Sequence, residues 1–302
     1  MIAFLVLAHS EPNHLKKLVR RLLSNESAVF VHIDAKSDIG SFNEIKMLGA
    51  KLIPDRVNVY WSGWSVVQAT LNLIRSALEY NVDFSHFILL SGLDYILIKP
   101  EVLKSYLLRS NIDHIDCIKM PEASVDKMLD RLEHFYFERA LSPGILGKFY
   151  RRLNTISLSL PPRRVMKALN GLAPYGGSQW WILKRSSAIK AFSFSHSDSK
   201  AMKLFKSSRF SDEFYFQTIL AGQNMGSKFR HSCTYTDWSA PRPPATINES
   251  HADLILRDDF LFDDIFGQGP CFFARKFPVG CTELMARFDT FADQRKAGSI
   301  AM

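Results

Sequence analysis

The stretch IAFLVLAHSEPNHLKKLVRRLLSNESAVFVHID, residues 2–34, decides the fold. Ile2 to Ala8 are apolar without alternation, the pattern of a strand covered on both faces. A turn containing Pro12 follows. Leu15, Leu18, Val19 and Leu22 then recur at helical spacing, with Lys16, Lys17, Arg20 and Arg21 on the other side. AVFVHID (28–34) is a second apolar run. Working outward, KLIPD (51–55) and VNVYW (57–61) read as further short strands, and SVVQATLNLIRSALEY (65–80) as an amphipathic helix. FSHFILLSGLDYIL (84–97) reads as a buried strand ending in a polar loop. This alternation predicts an α/β fold with a doubly wound sheet. Ligands on such sheets bind beyond the carboxyl ends of the strands. His9-Ser10, His32 to Asp34 and Ser91 to Asp94 fall there.

Beyond Pro100 the pattern loosens. A basic, loop-rich insert is expected over 101–172, followed by a turn entering a strand in APYGGSQWWIL (173–183) and a helix around SSAIKAF (186–192). SDEFYFQTIL (211–220) reads as a helix start, and an acidic, helix-like stretch precedes FFARKF (272–277). With no linker and no internal repeat, residues 1–290 are expected to form one domain, in parts 1–100, 101–172 and 173–290, and 291–302 a flexible tail.

The 302 residues are 47% hydrophobic and 23% charged, enough apolar chain for a large core and too much for disorder. No apolar stretch reaches the roughly 20 residues of a membrane span. The first apolar run lacks a basic leader and stops at His9, so it is read as a strand and the chain as cytoplasmic. The four cysteines form no C-x-x-C pair and are expected to be reduced. The net charge is +8, and residues 139–170 hold seven basic side chains and no acidic one, leaving the remainder near +1. A nucleic-acid binder would spread its charge more widely, so no nucleic-acid partner is expected. The basic residues of 139–170 stand beside Phe149, Tyr150, Leu153 and Ile156. Two readings stay open: a solvated surface, or a peripheral contact with an anionic membrane or an acidic acceptor.

No G-x-G-x-x-G after a strand, Walker A sequence, G-x-S-x-G elbow or H-E-x-x-H is present. Nowhere are two aspartates separated by one residue, so the D-x-D device that holds a divalent metal on a sugar-nucleotide diphosphate is missing. A bound diphosphate would need Lys or Arg instead. Arg275 and Lys276, inside the apolar run FFARKF, either snorkel or clamp phosphate. Glu213 is either a general base or part of a capping cluster begun by Ser211. Asp34 and Asp94 each accept the N3–H of a uracil ring or cap a turn. The tryptophans of YWSGWS, Trp64 among them, and of GSQWW are core residues or sugar platforms. Asp258, Asp259, Asp263 and Asp264 read as a solvated helix start rather than a metal cluster.

VLAHSEPNHLKKLVRRL, VFVHIDAKSD, VYWSGWSVVQATLNLI, FILLSGLDYIL, GSQWWIL, SDEFYFQTIL and FFARKF occur in order over residues 2–278, and the set resembles the Core-2/I-branching enzyme family of glycosyltransferases. The resemblance implies a GT-A-like fold, with a Rossmann-like mixed sheet flanked by helices. It implies inverting transfer of GlcNAc or xylose from a UDP-sugar to a glycan hydroxyl, with no metal cofactor. Carried over motif by motif, Glu213 is the catalytic base and Lys276 binds the donor diphosphate. Asp34 binds uracil, His9 lies in the first nucleotide loop, and Gly177, Ser178, Gln179 and Trp180 line the acceptor side. A further arginine is implied, for which Arg242, Arg257 and Arg275 are candidates. The missing anchor and disulfides suit a bacterial enzyme of surface-polysaccharide synthesis, with a glycan or lipid-linked glycan acceptor at the inner membrane face. The competing reading is a glycan- or nucleotide-binding module without turnover, which would not need Glu213.

Overall fold

The computed structural model describes residues 1–123, 128–222, 229–241, 243–257 and 260–295. Ile2–Ala8 forms β1, Pro12–Leu22 α1 and Ser27–Ile33 β2. Phe4 and Val6 enter the core on one face of the sheet, Ala3 and Leu5 the core on the other, all fully buried. That two-sided burial is why the run does not alternate. Helix α1 buries His14, Leu15, Leu18, Val19 and Leu22, the stripe its spacing predicts.

Asn43–Met47 (α2) and Lys51–Leu52 (β3) complete the first edge, followed by Trp64–Leu78 (α3), His86–Ser91 (β4), Tyr95–Ile96 (β5) and Pro100–Ser110 (α4). VNVYW forms no strand. Its amides are taken by side chains instead of a ladder: Val57 N donates to His32 Nε2 at 3.0 Å, and Val59 N to Asp34 Oδ1 at 3.4 Å.

Among its described residues the stretch 101–172 is not loop-rich. Asp113–Ile115 (β6) and Ile118–Lys119 (β7) precede Asp130–Glu133 (α5), the 16-residue helix Gly144–Ser159 (α6) and Val165–Leu169 (α7). Tyr175–Gly176 (β8), Trp181–Lys184 (β9), Arg185–Ser195 (α8), Lys200–Lys206 (α9) and Tyr215–Ala221 (α10) follow. Phe229–Arg230 (β10), Thr234–Thr236 (β11) and Glu249–Ile255 (α11) lead to Leu261–Asp264 (β12) and Gly267–Pro270 (β13). The last elements are Phe273–Arg275 (β14) and Thr282–Gln294 (α12).

Asp263 and Asp264 therefore lie in a hairpin, not at a helix start. Gly267 takes the left-handed φ of 108° at its turn, and Asp264 Oδ1 accepts from Phe266 N at 2.8 Å. Asp258 and Asp259 lie outside the described residues. Helix α12 carries order to Gln294, beyond the expected start of the tail; residues 296–302 lie outside the described residues.

Among the described residues the main sheet has seven strands in the order β10-β6-β9-β4-β1-β2-β3. β1 pairs parallel with β2 and β4, whereas β9 runs antiparallel to both β4 and β6. The sheet is thus mixed, with helices on both faces, in the GT-A-like, Rossmann-like α/β arrangement expected. A second sheet, β11-β14-β5, matters for the site: β14 pairs antiparallel with β5, Ala274 opposite Tyr95, which brings Arg275 beside Asp94. The four cysteines are unpaired thiols.

Candidate functional site

The carboxyl ends of β1, β2 and β4 converge. Asp34 N donates to Ala8 O at 2.8 Å and Gly92 N to Leu7 O at 2.8 Å. A Cβ on Gly92 would stand 2.9 Å from the Ala8 side chain, so only glycine lets the β4 loop approach β1 this closely. His9 is exposed at this edge, its carbonyl accepting from Ser37 Oγ at 2.7 Å.

Asp34 is buried, and its carboxylate holds the neighbouring loops. Oδ1 accepts from Lys36 N at 2.9 Å, and Oδ2 pairs with Lys36 Nζ at 2.7 Å. The Lys36 ammonium also lies 4.9 Å from the centre of the Tyr60 ring. Arg56 fixes the same loop through the carbonyls of Ile33, Asp34 and Ser37, at 2.6–2.9 Å. Burial lowers His32 to a pKa of about 4, so it stays neutral and accepts from Val57 N.

Asp94 is fully buried and cannot touch a nucleotide directly, contrary to expectation. Its Oδ2 accepts from Ser91 N at 2.7 Å, and its Oδ1 stands 3.7 Å from Arg275 Nε. Burial pushes the Asp94 carboxyl up, opposed by the charges of Arg275 and Lys276, and pushes the Arg275 guanidinium down, opposed by Asp94. Arg275 also stacks on Trp180, 3.9 Å from the ring centre. Its Nη1 is buried with no hydrogen-bond partner among the described residues. Lys276 follows at intermediate exposure; its carbonyl accepts from Ile247 N at 2.9 Å.

Ser211–Glu213 is a single 3-10 turn ahead of α10. Ser211 does not cap the helix: its hydroxyl donates backward to Phe205 O and Ser208 O, at 2.6 and 3.0 Å. Glu213 has a cation beside it. Arg131 Nη1 donates to Glu213 Oε2 at 3.0 Å, with the guanidinium 4.5 Å from the Phe210 ring centre.

Gly177–Trp180 touches both Glu213 and Arg275. Gly177 N donates to Glu213 O at 2.9 Å, and Gln217 Nε2 to Ser178 O at 2.7 Å. Three residues on, Trp180 carries Arg275. The Glu213 backbone and the stacked Arg275 therefore attach to one segment spanning at most about 11 Å between its end Cα atoms. A Cβ at Gly177 would lie 1.7 Å from Asp116 O, so this approach requires glycine. Gln179 is half-buried in the same segment.

Trp64 meets Tyr215 edge-on at 5.3 Å and lines a cavity of ≈ 520 Å³ with Asn58, Tyr60, Gln68, Glu138 and Leu146. Glu138 Oε2 accepts from Ser65 N at 2.9 Å, at the amino end of α3. Glu138, Gln217 and Arg131 carried no sequence signal, because each meets its partner across 39 residues or more. Of the arginine candidates, Arg275 stands in the site, Arg257 bonds back to Asp253 O at 3.1 Å, and Arg242 lies outside the described residues. Among the described residues no group of three or more His, Cys, Asp or Glu side chains could hold a metal ion. No helix among them is long and apolar enough to cross a membrane.

A family model described as Core-2/I-Branching enzyme matches residues 2–257, which leaves Arg275 and Lys276 beyond the match. A xylosyltransferase from Ciona intestinalis is 22% identical over 290 residues, covering 91% of this chain and 32% of its own length. A β-1,3-galactosyl-O-glycosyl-glycoprotein β-1,6-N-acetylglucosaminyltransferase from Bos taurus is 25% identical over 130 residues, 40% of this chain and 30% of that protein. Its namesake from Homo sapiens is 22% identical over 138 residues, 44% of this chain and 32% of that protein. The chain spans about a third of the length of the curated relatives it matches.

Proposed function

Because the chain belongs to the Core-2/I-branching enzyme family, we propose that it is an inverting glycosyltransferase. It moves a sugar, GlcNAc or xylose, from a UDP-sugar to a hydroxyl of a glycan acceptor, without a divalent metal, in the building of a bacterial surface polysaccharide. One observation carries this: Gly177–Trp180 ties the Glu213 backbone at one end to a buried cation, Arg275, at the other.

In this mechanism Glu213 takes the proton of the acceptor hydroxyl as its oxygen attacks the anomeric carbon. The bond from that carbon to the diphosphate oxygen breaks, and its electron pair leaves with UDP. Arg275, with its unpartnered Nη1, and Lys276 stabilise the charge where it develops. Asp94 and Trp180 hold Arg275 in place from two sides. Arg131 holds the Glu213 carboxylate by one oxygen. Asp34 accepts the uracil N3–H at the β2 edge once Lys36, its half-exposed partner, yields one oxygen. His9 borders the same edge. The polar and aromatic cavity beside Trp64 suits a sugar acceptor.

Glu213→Gln tests the assignment. It keeps an oxygen for Arg131 but removes the base, so transfer should fall about 10²–10⁴-fold. UDP affinity should be unchanged in calorimetry. Transfer within tenfold of the parent would end the proposal.

A further inference from the structure

Helix α6 is amphipathic the wrong way round. Its inward face is small and polar: Gly147 lies flush against Ser142 O, where a Cβ would stand 1.8 Å away, and Asn154 Oδ1 accepts from Phe137 N at 2.8 Å. The Ser157 carbonyl accepts from His134 Nδ1 at 3.1 Å. Tyr150 and Leu153 are half-buried, Tyr150 against Phe137, but most of the apolar side chains point outward. Ile145 is 87% exposed, Phe149 56% and Ile156 48%. At positions i, i+4 and i+11 they share one face, joined at i+7 by Arg152, with Lys148 beside it.

We propose that this face docks on an anionic lipid surface, Ile145, Phe149 and Ile156 entering the acyl boundary and Lys148 and Arg152 meeting the headgroup phosphates. Two observations select this occupant. Residues 139–170 carry seven basic side chains and no acidic one, so a two-fold contact with a second copy would set like charges against each other. Nucleic acid would satisfy the charge but offers no apolar phase for an exposed isoleucine and phenylalanine. Leu146 of the same helix, with Arg139, lines the ≈ 520 Å³ cavity beside Trp64. Docking therefore holds that cavity close to the membrane surface, whatever reaction the chain performs.

Co-sedimentation of the full chain with large vesicles is the test, comparing phosphatidylcholine alone with phosphatidylcholine mixed with phosphatidylglycerol. Binding should require phosphatidylglycerol and weaken as salt rises. Lys148→Gln with Arg152→Gln should weaken it by about fivefold per charge, the ~1 kcal/mol that a basic residue gains near such a surface. Ile145→Ser with Phe149→Ser should weaken it at least about tenfold, with the circular dichroism spectrum unchanged. All four positions are solvent-exposed, so these variants should fold. No binding to phosphatidylglycerol vesicles, or equal binding by both variants, would overturn the proposal. So would a dimer in analytical ultracentrifugation that Ile145→Ser with Phe149→Ser abolishes, since the face would then belong to a second copy.

Discussion

Asp94→Asn separates two jobs of one buried carboxylate. Oδ2 accepts from Ser91 N at 2.7 Å, a bond that an amide oxygen keeps, while Oδ1 is the counter-charge 3.7 Å from Arg275 Nε. At an effective dielectric near 20, unit charges 3.7 Å apart attract by about 4–5 kcal/mol. Stripping one partner from a buried pair costs about 3–5 kcal/mol, a drop of roughly 6–10 °C in Tm. UDP binding should move the other way. Arg275, left in place over Trp180 without its counter-charge, gains more from a diphosphate than before. Recovering about a third of the lost stabilisation, ~1.4 kcal/mol, tightens Kd about tenfold. Thermal melting with and without UDP, together with titration calorimetry, reads both effects. Both are measured over a range of pH, because burial pushes the Asp94 carboxyl of the parent up. Unchanged or weaker UDP affinity in a folded Asp94→Asn protein would show that Arg275 does not face the phosphates.

If cations replace a metal, EDTA should leave transfer intact, while Lys276→Ala should weaken UDP binding by about 1.5–3 kcal/mol, at least tenfold in Kd. Activity lost in EDTA and restored by manganese would contradict this. His86 gives a stability prediction. Burial and the nearby Lys184 ammonium lower it to about 4 from an ordinary 6.5. The unfolded chain therefore binds the extra proton between those values, and the His86 contribution is full above pH 6.5 and lost as pH falls toward 4. By pH 5.5 the loss is about 1.4 kcal/mol. His86→Asn should narrow its stability gap to the parent by that amount between pH 7.5 and about 5.5 in urea unfolding. A gap independent of pH would mean that His86 is not held neutral.

What was legible in the sequence was whatever repeats at short range. β1, α1, β2 and α3 are apolar at strand or helix spacing and bury their apolar residues, although α3 also buries Ser65, Thr70 and Asn72, which its spacing does not announce. The hairpin 261–270 was misread because its acidic residues look like a first helical turn, while Gly267, which sets the turn, is one letter among neutral ones. VNVYW was misread for a related reason. A strand needs a neighbour for its amides, and here His32 and Asp34, more than 20 residues earlier, supply acceptors from their side chains.

The site divides along the same line. Residue types chosen for their chemistry pointed to Glu213, Asp34, Arg275 and Lys276, but not to what surrounds each of them. Asp94 shows the limit. A carboxylate at a strand's carboxyl end looks like a ligand, yet its exposure depends on whether another chain segment covers it. β14, some 180 residues later, pairs with β5 and does so. Once covered, the same carboxylate can only act through Arg275. In the proposed mechanism the diphosphate charge is matched by a lysine and an arginine, and the arginine's position is set by a buried acid and an indole ring. Lysine in place of Arg275 keeps the charge but loses the planar stack on Trp180 and the fork that spans Asp94 and the anion. Arg275→Lys should therefore weaken UDP binding nearly as much as Arg275→Ala. If lysine restored wild-type affinity, charge alone would suffice, and Trp180 would have no part in placing it.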